Sequence, residues 1–244
     1  MLFENSDRSP RNPETGAPIP PRMQPGYYAG YSTLAQQSFW DAATRKTVLN
    51  RIGPPPAIRF FNREQADLLQ CICSHLLPQD DREISRQIPI VPHIDDRLYE
   101  KRIPGFRFAD MPPDGEAYKH GLAAIDATAQ ERFGQEFLKI SWEEQEQILR
   151  SIHDGKLGAA DKIWQKLPAD RFWKLLMEDC VDIYYAHPWS WDEIGFGGPA
   201  YPRGYMRLER GEPEDWEVEE ERYEWSSPPG VLSDPEAAQS NFIK

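Results

Sequence analysis

Residues 62–78 read NREQADLLQCICSHLLP, and both ends of a helix are written into them. Asn62 offers a side-chain acceptor where an N-cap belongs, and Gln65 stands three residues on, the spacing of a capping box. From there Ala66, Leu69, Cys73, Leu76 and Leu77 recur at three- and four-residue steps, the period of one helix face. Pro78 cannot continue the helix and ends it.

The same signals recur on either side. Ser141 and Glu144 form a second capping box, opening a helix with Trp142, Ile148, Leu149 and Ile152. Residues 114–134 carry the stripe Tyr118, Leu122, Ile125 and Phe133, and residues 161–167 read as a short helical turn. Pro168 takes a first-turn position ahead of Phe172, Leu175, Leu176, Cys180 and Ile183, and Pro188 closes that helix. Upstream, residues 32–50 read as one helix with Leu34, Phe39, Ala42 and Val48 near one side, broken by the GPPP at 53–56. Residues 88–92 are expected to be extended, because Pro89 and Pro92 constrain them, with a short helix from about His93. No strand pattern and no internal repeat is seen. The fold class is therefore all-α: a small irregular helical domain of about five or six helices with long extended N- and C-terminal arms. The organisation expected is a flexible arm over 1–25, a helical domain over 26–205 and an acidic tail over 206–244.

Composition narrows the class of partner. The 244 residues carry a formal net charge of -12, which disfavours a phosphate backbone or an anionic membrane surface. No run of 18 apolar residues supplies a spanning helix. Nine carboxylates fall within residues 209–224, yet Trp216, Tyr223 and Trp225 interrupt them, and Tyr27 and Tyr28 follow the Pro-rich arm. Large aromatics are poor choices for a solvated tail, so both arms are expected to wrap a partner. The three cysteines, Cys71, Cys73 and Cys180, are too few for a disulfide framework. Cys71 and Cys73 lie about 200° apart around a helix, so they share neither a metal nor a bond, and they read as small buried apolar residues.

Candidate chemistry is thin. His93, Asp95 and Asp96 give too few ligands for a metal, since adjacent carboxylates point apart on a helix, and they read as a solvated helix start. No HExxH or nucleophile-elbow pattern occurs. The GFGGPAYPRG at 195–204 is Gly-rich, but it follows a helix rather than a strand and holds two prolines, which excludes a phosphate loop. Glu178 and Asp182 share a helix face as a conceivable acid-base pair beside Asp179, Asp192 and Glu193; in so acidic a chain a solvated face is the simpler reading.

The stretch YYAHPWSWDEIGFGGPAYPRGY, residues 184–205, remains. It packs aromatics into a Gly/Pro-stiffened segment with little charge. Tyr, Trp and Arg dominate binding hot spots, and stiffness lowers the ordering cost of docking, so the segment reads as a protein-contact surface that also covers the helical core.

Three motifs together, LLPQDD at 76–81, IPIVPHIDDRL at 88–98 and YYAHPWSWDEIGFGGPAYPRGY at 184–205, resemble the gluconate 2-dehydrogenase subunit 3 family. The resemblance spans about residues 60–205, and GYSTLAQQSFWDAATR at 30–45 looks like an extension found in one branch. It implies a non-catalytic small subunit that binds and stabilises a large FAD-dependent dehydrogenase of the glucose-methanol-choline type, acting on sugars, glycosides or related alcohols, with cytochrome c as a common acceptor. It implies no catalytic residue, cofactor or metal on this chain; FAD belongs to the partner. The interface residues it suggests are Tyr185, His187, Trp189, Trp191, Phe196, Pro199, Tyr201, Arg203 and Tyr205. An assembly or escort factor for the same flavoprotein, and a free-standing enzyme using His187 with Asp192 or Glu193, are the alternatives. The family's small subunits commonly carry a twin-arginine export signal. The first residues here hold neither that signal nor an apolar secretory segment, so a cytoplasmic location is expected, with periplasmic delivery on a partner's signal as the alternative.

Overall fold

The computed structural model describes residues 33–103, 105–194 and 196–199, with Thr15 and the pairs 206–207 and 212–213. Among these residues there are seven α-helices, short 3-10 turns and one two-residue antiparallel pairing, Met206 opposite Pro213. No helix among them is long and apolar enough to cross a membrane. Contacts divide the chain into two compact units, one of residues Pro55–Ile183 and one of Met1–Pro54 with Tyr184–Lys244. The arms expected over 1–25 and 206–244 lie outside the described residues apart from Thr15 and the two pairs, Tyr27, Tyr28, Trp216, Tyr223 and Trp225 among them.

In the first chain order, α1 spans Ala42–Arg51. The single helix expected over 32–50 is in fact a 3-10 turn, Thr33–Phe39, followed by α1. Asp41 makes the break: its carboxylate accepts the Thr44 amide at 2.7 Å, an N-cap that stops one helix and starts the next. Leu34, Trp40, Val48 and Trp191 form the core of this unit, with Leu49 and Ile52 against it; the Phe39 side chain lies outside those described.

The Pro55–Ile183 unit is built on five helices: α2 Arg63–Leu76, α3 Ile90–Tyr99, α4 Asp114–Phe133, α5 Trp142–His153 and α6 Ala169–Tyr185, whose last two residues pass into the other unit. Both expected capping boxes form, Asn62 with Gln65 and Ser141 with Glu144. The start of α3 departs from expectation: residues 90–92 are helical, not extended. The first turn of a helix has no intrahelical partner for its N–H groups, so Pro92 removes nothing there. Burial of Ile90, Val91, Ile94 and Leu98 favours the helix over the extended bias of the residue before proline.

Helix α4 is the hub and packs against α2, α3 and α5. Its inner face is made narrow by Ala117, Gly121 and Ala124, which lets Phe172 of α6 lie directly on the backbone at Gly121. Phe172 meets Tyr118 edge-on at 5.9 Å and Trp164 at 6.0 Å, while Phe61 closes the other side of Tyr118. Trp164 donates its indole N–H to Thr128 at 3.1 Å, so this aromatic core leaves no orphaned donor on Trp164. Gly134, in the left-handed region at φ 72°, ends α4 in the manner of a C-cap glycine.

Candidate partner surface at the end of helix six

Helix α6 ends at Tyr185, and a seven-residue helix, α7 Pro188–Ile194, follows two residues later. A helix leaves its last carbonyls without partners. Here the last two, and the carbonyl of Ala186 just past the helix, are taken by side chains of the same unit. Ser190 donates its hydroxyl to Tyr184 O at 2.7 Å, Trp191 donates its indole N–H to Tyr185 O at 2.6 Å, and Arg51 donates to Ala186 O at 2.8 Å. At the other side of the turn, Pro188 takes the first position of α7 and His187 is its N-cap: its ring Nδ1 accepts the Trp189 amide at 3.2 Å. Nδ1 is then the unprotonated nitrogen of the imidazole.

The 3-10 turn at Thr33–Phe39 is fixed to this corner. The Thr33 amide and hydroxyl both donate to Asp192 Oδ1 at 2.7 Å. Phe196 N–H donates to Trp191 O at 2.9 Å, bringing the loop back, and Phe196 meets the Trp191 ring edge-on at 5.4 Å. The guanidinium of Arg51 covers Trp191 at 5.6 Å. Gly198, at φ 87°, faces Thr33 so closely that a Cβ would stand 2.4 Å from its methyl group. The glycine is used for close approach of the chain to itself, not to a phosphate.

This geometry sorts the aromatic segment. His187 and Trp191 are 3% and 6% exposed, and hold the corner from inside. Tyr185, Ile194 and Phe196 are 43%, 54% and 38% exposed, with Trp189 and Pro199 half-buried. Tyr201, Arg203 and Tyr205 lie outside the described residues. Nothing in the sequence marks Ile194, because one aliphatic among aromatics gives no signal of its own.

The residues considered for chemistry do other work. Asp192 holds Thr33, Glu193 accepts the Tyr184 hydroxyl at 3.1 Å, and His187 caps α7, so all three maintain the corner. Glu178 is exposed beside Lys174 at 3.6 Å, and Asp182 is exposed. Asp95 and Asp96 do point apart, but Asp95 is no solvated helix start: it is fully buried and accepts the amides of Arg59, Phe60 and Phe61 at 2.7, 2.9 and 2.8 Å. Asp96 faces outward to Arg59 and Arg102. Asp179, between the two surface carboxylates, turns inward to Arg97 at 2.5 Å and to the Tyr118 hydroxyl at 2.7 Å, with Asp114 on the other arm of Arg97 at 2.6 Å. Burial raises the Asp179 carboxyl above its usual range, against the pull of Arg97 and Tyr118. Three helices supply this network, so no spacing within the sequence announces it. Among the described residues no three His, Cys, Asp or Glu side chains gather as a metal site.

A family model described as gluconate 2-dehydrogenase subunit 3 matches residues 63–198, more than half of the chain. The match takes in α2 to α7 and stops at Gly198; the stretch 30–45 is outside it. No curated protein and no solved structure matches.

Proposed function

The chain belongs to the gluconate 2-dehydrogenase subunit 3 family, whose name makes it an accessory subunit of a dehydrogenase complex, and from that premise we propose that it binds and stabilises a large FAD-dependent subunit. The partner in this reading is a dehydrogenase of the glucose-methanol-choline type that oxidises a sugar, glycoside or related alcohol. FAD and the residues that move the substrate's proton and hydride belong to it, and a cytochrome c is a reasonable acceptor. This chain contributes a surface.

The observation that carries the proposal is the exposure of Tyr185, Ile194 and Phe196 on a corner whose Tyr184, Tyr185 and Ala186 carbonyls and α7 N-cap find side-chain partners within the same unit. A large apolar side chain left exposed on a stiff scaffold is a ready anchor, since little freedom is lost when it docks. The buried members of the segment, His187 and Trp191, act by holding that face.

The test is a double substitution, Tyr185→Ala with Phe196→Ala, in the full chain co-expressed with the large FAD-dependent subunit proposed as its partner. Anchors of this kind are worth about 2 kcal/mol or more when they lie at an interface centre, so affinity should fall by roughly thirtyfold or more while the melting temperature of the isolated chain changes little. Glu178→Ala, on an exposed face of α6, is the control and leaves affinity unchanged. Isolation of the chain from its native host as a stable monomer with no flavoprotein attached refutes the proposal. A flavoprotein that matures with this chain but retains it below one copy per complex points instead to an escort factor.

A further inference from the structure

Cys73 and Cys180 are 107 residues apart in the chain, yet their sulfurs lie 3.7 Å from each other. Cys73 is on the inner face of α2 and Cys180 on the inner face of α6, at 1% and 0% exposure. Both are free thiols, and both belong to the Pro55–Ile183 unit. The third cysteine is turned elsewhere. Cys71 is half-buried with its sulfur 3.4 Å from Gln145 Oε1. The amide nitrogen of Gln145 donates to Phe137 O at 2.8 Å, which fixes its oxygen toward Cys71, so Cys71 is the donor and is a thiol. The fold therefore sorts three cysteines into one facing pair and one held apart.

We propose that Cys73 and Cys180 form a modification site, an oxidisable dithiol that closes to a buried disulfide with a disulfide oxidant such as oxidised glutathione or a thiol-disulfide oxidoreductase. A disulfide needs sulfurs at about 2.05 Å, so two in contact at 3.7 Å close by roughly 1.7 Å of side-chain movement. In the first step the thiolate of one cysteine attacks the oxidant's S–S bond, forming a mixed disulfide and releasing one reduced thiol. In the second, the other cysteine loses its proton, attacks the protein sulfur of the mixed disulfide and expels the second thiol. The oxidant gains two electrons and two protons; the protein loses two hydrogens. The contact with Cys180 and burial push the Cys73 thiol well up, and burial keeps the oxidant out. Closure thus proceeds during folding or through opening of the α2–α6 contact, and the same burial then shields the bond from reductants.

The experiment uses the full chain with any partner that copurifies. It is brought to equilibrium in glutathione buffers from fully reduced to fully oxidised, with sub-denaturing urea so that opening is not limiting. It is then acid-quenched, alkylated and mapped by mass. The expected product has lost two hydrogens, carries one cross-link between the peptides of α2 and α6, and melts roughly 5 °C or more above the reduced form. One residue separates Cys71 from Cys73, so Cys71→Ser assigns the link: the same cross-link in that variant supports the proposal. A cross-link that vanishes in Cys71→Ser, or three alkylatable thiols in the most oxidising buffer, overturns it.

Discussion

Removing the Asp95 side chain should cost more stability than any surface substitution in the chain. Its two oxygens divide the work: Oδ1 accepts the Arg59 amide at 2.7 Å, and Oδ2 accepts those of Phe60 and Phe61 at 2.9 and 2.8 Å. The three bonds dock residues 59–61, the entry to α2, onto α3. In Asp95→Ala all three donors lose their acceptor. Bonds to a charged group contribute about 1.5–3 kcal/mol each, and an orphaned buried donor about 1–3 kcal/mol. Phe61 is buried, while Phe60 is half-buried and Arg59 exposed, so water can recover part of the loss. Counting the Phe61 bond in full and the others in part gives about 4 kcal/mol. Asp95→Asn behaves differently. With its oxygen at the Oδ2 position it keeps Phe60 and Phe61 and turns its NH₂ toward the more exposed Arg59 amide, so the loss is about 1–2 kcal/mol. The assay is urea unfolding followed by two independent probes, with coincidence of the two taken as the check on two-state behaviour. For a slope near 2 kcal/mol per molar, the midpoint shifts by about 2 M for alanine and less than 1 M for asparagine. An alanine variant within about 1 kcal/mol of wild type, or an asparagine variant as unstable as alanine, would refute the reading of Asp95 as a backbone clamp.

Two other outcomes follow from packing and from burial. Gly121→Ala should destabilise by about 1–3 kcal/mol, although alanine is the better helix former by about 1 kcal/mol, because its Cβ would stand 2.3 Å from the fully buried Phe172 ring; a stabilised variant in thermal unfolding would show that the ring gives way. His75 stacks on Trp142 at 3.4 Å between centroids and bonds Gln145 Oε1 at 2.9 Å, and burial lowers its pKa from the usual 6.5. A base whose folded pKa is depressed is protonated first in the unfolded chain, so its contribution is complete above about pH 6.5 and shrinks as pH falls below it. His93, lowered by burial as well, adds the same sign. His75→Gln should therefore flatten the decline in unfolding free energy between pH 7 and 5, by less than about 1.4 kcal/mol per pH unit; identical slopes would dispose of the assignment.

What could be read from the sequence was what neighbours in the chain decide. The capping boxes at Asn62 and Ser141 need only a three-residue spacing, and both were legible. Pro168 and Pro188 marked the bounds of α6 for the same reason. The cap at Asp41 has an equally local signature, Thr44 three residues on, yet it was hidden inside a run with continuous helical character. The start of α3 departs from the local signal because the bias against a helix before Pro92 is overruled by burial of Ile90 and Val91, a tertiary effect. Asp95, Arg97 and Asp179 were illegible in principle. Each bonds to residues on other segments, and a charged letter in an acidic chain looks the same whether it faces water or three backbone amides. The aromatic segment reads as a contact surface, but its letters do not say which rings are exposed.

That last distinction bears on function. Tyr185 and Trp191 are both large aromatics of the kind found at interfaces, and composition ranks them together. The structure separates them by one hydrogen bond: the indole N–H of Trp191 is committed to the Tyr185 carbonyl, which turns the Trp191 ring inward over Leu34, Trp40 and Val48 while leaving the Tyr185 ring outside. The pairing of Ser190 with Tyr184 and of Arg51 with Ala186 adds side-chain donors to the carbonyls on either side of Tyr185. Covering the core accounts for Trp191, but not for the exposure of Tyr185, Ile194 and Phe196. A corner that bonds its own backbone from inside and leaves Tyr185, Ile194 and Phe196 exposed is what the proposed docking role requires.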